Sequence, residues 1–290
     1  DLYVAGFPCQ SFSLAGKRGG FDDVRGTLFF NVAEFIKVNQ PKCFILENVR
    51  GLLSHEKGKT FQTITDVLHN GGGTLNGQMG FDSVDGGLGY HIYYKVLNTK
   101  NYGIPQNRER VFIIGFKDWK EFRFPKEIPL ELRLKDLLEE SVNEKYYLSD
   151  KMKNFVLTTN FREAKPIDVN KISPCIKVGG DVPCFEEDQV VVHNLHPRCG
   201  DPKKGGTGRL SRKDGITYCL DTGNNQAIEE NKRIRRLTPL ECWRLQGFTD
   251  EEFWKAQKVN SDTQLYKQAG NSITVNVMVE ILRNIYHKSE

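Results

Sequence analysis

Residues 2–10 read Leu2-Tyr3-Val4-Ala5-Gly6-Phe7-Pro8-Cys9-Gln10. An apolar run of strand length ends in a turn built from a flexible residue, a ring and a proline that fixes φ. The thiol of Cys9 is therefore expected at the carboxyl end of a sheet strand. Ligands of open α/β sheets bind there. A thiol near backbone N–H groups and cations is favoured as the thiolate, which is the attacking form. A buried cysteine acting as a small hydrophobe is the plainer alternative for the same residue. The next stretch bears on that choice: residues 11–23, SFSLAGKRGGFDD, carry three glycines and the adjacent cations Lys17 and Arg18. Such a segment makes a surface loop suited to closing over a phosphodiester.

Downstream, Arg25-Gly26-Thr27 leads into an apolar pattern of helical spacing from Leu28 to Ile36, closed by Pro41. Cys43 to Leu46 is a short apolar strand ending in Glu47. The unit is β-α-β, and a right-handed crossover sets Cys9 and Glu47 at one sheet edge. An amphipathic helix is expected near Thr60 to His69, and strands over His91 to Leu97 and Arg110 to Phe116. The glycine-rich stretch from Gly71 to Gly89 reads as a surface insertion. From about Lys135 short β-rich pieces alternate with turns, among them Tyr146 to Leu148, Ile172 to Val178 and Val190 to Val192. A helix from Thr238 to Gln246 is expected to start on a capping box between Thr238 and Glu241 and to stop at Gly247. A final helix covers about Thr274 to Tyr286.

With 290 residues the chain can bury a substantial core as one large domain or two. A hydrophobic content of 38% and a mean hydropathy of −0.50 speak against a membrane protein. The net charge of +4 permits a polyanionic partner without requiring one. The positive charge gathers at Lys17-Arg18, Lys203-Lys204, Arg209, Arg212-Lys213 and Lys232 to Arg236, which read as loops. Seven cysteines without framework spacing point to reduced thiols in a cytoplasmic compartment. His193, His196 and Cys199, with Cys175 and Cys184 upstream, lack the paired knuckles of structural zinc sites, so no metal is expected.

Three further stretches complete a pattern with Pro8-Cys9-Gln10: Glu47-Asn48-Val49, Gln106-Asn107-Arg108-Glu109-Arg110 and Gly270-Asn271-Ser272. In this order and spacing the set resembles the DNA (cytosine-5)-methyltransferase family, over nearly the whole chain. The resemblance implies a Rossmann-like α/β methyltransferase sheet with an inserted, mostly β target-recognition domain. The catalytic part covers residues 1–135, the recognition domain 136–264, and a C-terminal segment, 265–290, returns to the catalytic part. It implies S-adenosylmethionine as methyl donor and double-stranded DNA as partner. A tRNA-methylating relative and a non-catalytic DNA-binding fragment are the alternatives.

By the same resemblance Cys9 attacks carbon 6 of cytosine, Glu47 holds N3 and the exocyclic amine, Arg110 contacts O2 and Arg108 grips a flanking phosphate. Pro8, Leu28, Asn271, Ser272 and Ile273 fall to the donor. Gln10, Ser13, Lys17, Arg18, Thr207, Arg209 and Arg212 fall to DNA, with residues 203–209 resembling a glycine-rich recognition loop. Cys219-Leu220 stands where a Thr-Leu pair is more usual. Family members normally carry a Phe-x-Gly-x-Gly loop and a ribose-holding acidic residue before the position of Asp1. The expectation is therefore a sheet lacking its N-terminal strands, completed by a preceding segment or a second chain.

Overall fold

The computed structural model describes residues 1–7, 27–69, 74–75, 78–79, 87–150, 191–194, 211–220, 226–230 and 233–286. They form two compact units. One comprises Asp1–Asn98, Glu109–Lys126 and Val279–Glu290; the other comprises Thr99–Arg108 and Glu127–Met278.

The first unit is built on a mixed six-stranded sheet in the order β1-β2-β6-β5-β3-β4. Strand β1 (Leu2–Gly6) runs parallel to β2 (Cys43–Val49), and helix α1 (Thr27–Asn39) lies between them in sequence. The expected β-α-β unit is thus present. β2 pairs antiparallel with β6 (Glu109–Phe116), which pairs antiparallel with β5 (His91–Asn98). The central strands read as near-continuous apolar runs because both their faces are covered: Phe44, Ile45, Leu46, Ile113 and Ile114 are buried. Helix α2 (Lys59–His69) buries Phe61, Ile64 and Leu68 in the same core as Phe29 and Ile36 of α1. Where β2 and β6 are in register, Gly115 leaves room for the Phe44 ring; a Cβ there would lie 2.2 Å from the ring carbon Cζ.

The glycine-rich stretch departs from the expected insertion. It contributes two strands of two residues each, β3 (Thr74–Leu75) and β4 (Gln78–Met79), to the sheet. Among the described residues no helix is long and apolar enough to cross a membrane.

The second unit joins an antiparallel sheet to a helical cluster. Strands β7 (Val191–Asn194), β8 (Ser211–Arg212), β9 (Gln226–Glu230) and β10 (Arg233–Arg236) are ordered β10-β9-β7-β8. Helices α3 (Pro239–Arg244), α4 (Asp250–Gln257) and α5 (Asp262–Asn271) follow, and the first turn of α6 (Val275–Tyr286) ends this unit. The Thr238–Glu241 capping box starts α3 as expected: Thr238 Oγ1 accepts from the Glu241 N–H, and the Glu241 carboxylate accepts from the Thr238 N–H. Gly247 then turns the chain at φ +83°, a conformation costly for a residue with a Cβ. Leu237, Leu240, Trp243, Leu245, Phe253 and Leu265 form a core of their own with Leu134 and Leu220.

Two expectations change here. Tyr146 closes a 3-10 turn (Glu144–Tyr146) instead of opening a strand, and only Tyr147 makes a β-bridge, to Arg235. The basic run ending at Arg236 is not a loop from Arg233 onward but strand β10. In it Arg235 is buried against Glu241, while Arg233 pairs with Glu144 over the Tyr147 ring. Of the described arginines in that run, Arg235 is thus spent inside the protein, while Arg233 and Arg236 stay exposed.

Candidate active site

In the first unit, the parallel register pairs Gly6 with Glu47 at the carboxyl ends of β1 and β2. The carboxylate of Glu47 therefore lies over the end of the strand that leads to Cys9; a Cβ placed on Gly6 would be 3.6 Å from Glu47 Oε2. Glu47 is 9% exposed. Arg110, opposite Val49 on β6, brings its Nε to 2.9 Å from Glu47 Oε1. The contact is ionic without the alignment of a directed hydrogen bond. Arg110 Nη1 also donates to the backbone carbonyl of Glu109 at 2.9 Å.

The next residue of the Glu-Asn-Val motif holds the backbone. Buried Asn48 donates from Nδ2 to the Phe7 carbonyl at 2.8 Å, and its Oδ1 accepts from the Val49 N–H at 2.8 Å. This bond spans 41 residues of sequence and fixes the chain two residues before Cys9. The sequence offered Asn48 only as a motif letter; its bond could not be seen without the strand register.

Beside the same strand end is a concavity of about 310 Å³ lined by Tyr3, Gly6, Phe7, Leu28, Asn31, Val32 and Phe35. The rings of Tyr3 and Phe35 stack at 4.4 Å, and Leu28 is 42% exposed on the first turn of α1. An apolar wall with one exposed leucine and stacked rings suits a flat heteroaromatic ring, so the residues present fit the adenine end of the donor.

In the second unit, the Gly270-Asn271-Ser272 motif ends α5. Ser272 caps the helix with its N–H on the Gln268 carbonyl at 3.0 Å, and its Oγ donates to the Ala269 carbonyl at 2.9 Å. Asn271 is exposed, and Ser272 and Ile273 are half-buried.

Arg108, expected at a phosphate, is 3% exposed, and its guanidinium faces protein acceptors. Nη2 donates to the carbonyls of Gly270 (3.1 Å) and Ser272 (2.9 Å). Nη1 donates to the Leu220 carbonyl (3.2 Å) and to Cys219 Sγ (3.3 Å). Gln106, fully buried, holds the same region: its Nε2 donates to the Leu245 carbonyl at 2.6 Å, and its Oε1 accepts from the Leu220 N–H at 3.2 Å.

Pro8, Cys9, Gln10, Ser13, Lys17, Arg18, Thr207 and Arg209 lie outside the described residues, as do Cys175, Cys184, His196 and Cys199. Arg212 falls in β8, opposite Val192.

Comparison with known proteins gives one consistent set. A family model described as C-5 cytosine-specific DNA methylase matches residues 1–76 and 83–287. The chain is 38% identical to type II methyltransferase M.HpaII of Haemophilus parainfluenzae, covering 95% of this chain and 68% of that protein. It is 37% identical to M.NgoBI of Neisseria gonorrhoeae (98% and 73%) and 32% identical to the orphan methyltransferase M.SPRI of Bacillus phage SPR (99% and 82%). Among solved structures it is similar to the Entamoeba histolytica methyltransferase EhMeth, covering 98% of this chain and 76% of that one, and to the S. pombe Dnmt2 methyltransferase, covering 98% and 77%. Each has a TM-score of 0.61 at 16% identity, which speaks to the fold alone.

Proposed function

The chain belongs to the C-5 cytosine-specific DNA methylases, and we propose that it methylates carbon 5 of a cytosine flipped out of a specific duplex sequence, as the protective half of a restriction–modification pair. What carries this reading is the β1–β2 register, which sets the Glu47 carboxylate over the end of the strand that delivers Cys9.

Carbon 5 of cytosine is a poor nucleophile, so the ring must first be activated by addition across its 5,6 double bond. Cys9 thiolate adds to C6, and the electron pair of the 5,6 double bond moves toward C5 while charge builds at N3 and O2. Glu47 sharing a proton with N3, and accepting from the exocyclic amine, both activates the ring and identifies it as cytosine. Arg110, already on Glu47, orients that carboxylate and offers its guanidinium to O2. S-adenosylmethionine, when bound, supplies an electrophilic methyl group on sulfur. Once C5 carries the methyl, loss of its proton to a base or water restores the double bond and expels the Cys9 thiolate.

Leu28 and Pro8 serve the adenine and methionine ends of the donor, and Asn271, Ser272 and Ile273 its amino-acid part. Gln10, Ser13, Lys17, Arg18, Thr207, Arg209 and Arg212 contact DNA, with residues 136–264 as the inserted recognition domain. Lys17 and Arg18 position through phosphate; Arg209 and Arg212 read guanine edges. RNA is not favoured as substrate, because the relatives at 32–38% identity are type II or orphan methyltransferases matched by a DNA methylase model.

The test is covalent trapping. Duplex DNA with 5-fluorocytosine at the target should give a stable adduct mapping to Cys9, and Cys9→Ser should form none while still binding DNA. An adduct on Cys43 or Cys219, or methyl transfer to tRNA without transfer to duplex DNA, defeats the reading.

A further inference from the structure

We propose that Arg108 is a positioning residue for the methyl donor, holding the turn that presents Asn271, and that it binds no DNA phosphate. This rests on the methyltransferase reading above. Among the described residues, four hydrogen bonds of its guanidinium fall on two places: the carbonyls of Gly270 and Ser272, on either side of Asn271, and the Cys219-Leu220 segment. Gly270 supplies one of the last carbonyls of α5, which lack intrahelical partners and carry the negative end of the helix dipole. A buried cation is stable there because those carbonyls are its counter-charge. Reaching a phosphate would strip it of four acceptors and leave the carbonyls bare.

The backbone of Arg108 is held as tightly. Its N–H donates to the Gln106 carbonyl at 3.0 Å, and its carbonyl accepts from the Thr99 N–H at 2.9 Å. The far side of the turn is tied to the same segment. The hydroxyls of Thr99 and Thr274 meet at 3.0 Å, Thr274 Oγ1 donates to Gln246 Oε1 at 3.0 Å, and Asn276 Nδ2 donates to the Tyr102 carbonyl at 3.2 Å. Residues 99–108 thus brace the turn before and after Asn271, yet the Asn271 side chain itself is exposed. A ligand-facing side chain on a backbone fixed from both sides is a preorganised binding element, and its supports act through affinity for the ligand. Lysine cannot substitute: one ammonium lacks the planar fork that spans both pairs of acceptors.

The experiment compares Arg108→Lys with wild type in the full-length protein. We expect the donor KM to rise roughly 10- to 100-fold, as fits the loss of charge-assisted hydrogen bonds, with kcat at saturating donor nearly unchanged. The DNA Kd and the slope of log Kd against log salt should not move. A flattening of that slope by about one with an unaltered donor KM would assign Arg108 to a phosphate and overturn the proposal. Hydrogen exchange on wild type needs no variant. S-adenosylmethionine alone should slow exchange in peptides covering 104–108 and 217–220 together with 268–276, and protection confined to 268–276 counts against the brace. A wild type that methylates duplex DNA while either readout fails defeats this inference alone; one that transfers no methyl group at all defeats both readings.

Discussion

Each unit contains an arginine–glutamate pair, and the two are built for opposite purposes. Arg235 meets Glu241 in two parallel hydrogen bonds of 2.8 Å, with the side chains 2% and 0% exposed. Glu241 also accepts from the Thr238 N–H at 2.7 Å and the Glu139 N–H at 3.0 Å, so both its oxygens are engaged from several directions. Arg110 brings Nε to 2.9 Å from Glu47 Oε1, with the side chains 16% and 11% exposed, at a strand end. A saturated pair fixes a chain crossing and has nothing left to offer a substrate. A pair at a strand end, held by an ionic contact without a parallel second bond between the same two groups, keeps the carboxylate oriented toward an approaching ligand.

The comparison breaks most visibly at Glu47. Glu47→Gln keeps the shape but removes the proton relay to N3, so kcat should fall by about 10²- to 10⁴-fold. Stability by urea denaturation should change by no more than about 1–2 kcal/mol. If the variant instead loses stability and keeps its turnover per folded molecule, Glu47 is structural and the contrast is false.

Arg235 is the mirror case. Arg235→Met strands the buried Glu241 charge and should cost about 3–5 kcal/mol, with turnover of the folded fraction unchanged. Adding Glu241→Gln removes the stranded charge while keeping an acceptor for the Thr238 N–H. The double variant should therefore recover at least about 1 kcal/mol over the single one. A double variant no more stable than Arg235→Met would mean that shape, not charge, holds the pair.

These two pairs also mark how far the sequence could be read. Strand-length apolar runs ending at Gly6 and Glu47 are local signals, and they placed the two ends side by side because parallel neighbours with a helical crossover share an edge. The α3 cap was legible for the same reason, since a capping box lies within four residues. Arg235 was not legible. A buried arginine and a DNA-facing one look alike inside a basic run, and only the packing of α3 against β10 tells them apart. Arg108 was not legible either: β6 begins at Glu109, so Arg108 lies before the strand alternation that places Arg110. Its partners at Cys219 and Gly270 are more than 100 residues away, and no local pattern encodes them.

A smaller effect tests the sheet that carries Glu47. Gly115→Ala places a methyl group where ring atoms of the fully buried Phe44 lie 2.2 to 2.8 Å away, and Phe44 is three residues before Glu47 on β2. The ring must shift within the core, and this overpacking should cost about 1–3 kcal/mol in thermal or chemical unfolding. Gly115→Ala/Phe44→Leu should regain part of it. No rescue would show that the glycine matters for the backbone and not for the ring.

The smallest effect concerns a third arginine pair, intermediate between the other two. Arg244 Nε and Nη2 donate to the two oxygens of Asp250 at 2.7 and 2.6 Å, but these side chains are 23% and 33% exposed. The hydrogen bonds from Arg244 hold the Asp250 carboxyl below the ordinary carboxylate range, against an opposing push from partial burial. A carboxyl whose folded pKa is depressed contributes stability above its unfolded value, and that contribution is lost as pH falls through the folded value. Asp250→Asn should therefore cost at most about 1 kcal/mol at neutral pH, because solvent screens a pair this exposed. The difference from wild type should shrink below the ordinary carboxylate range and reach its minimum once Asp250 is protonated in both states. Wild-type and variant curves that stay parallel down to the acid limit would show that the geometry, though bidentate like that of Arg235 and Glu241, contributes no charge-dependent stability at this exposure. Burial would then be what separates a pair that holds the fold from one that merely decorates it.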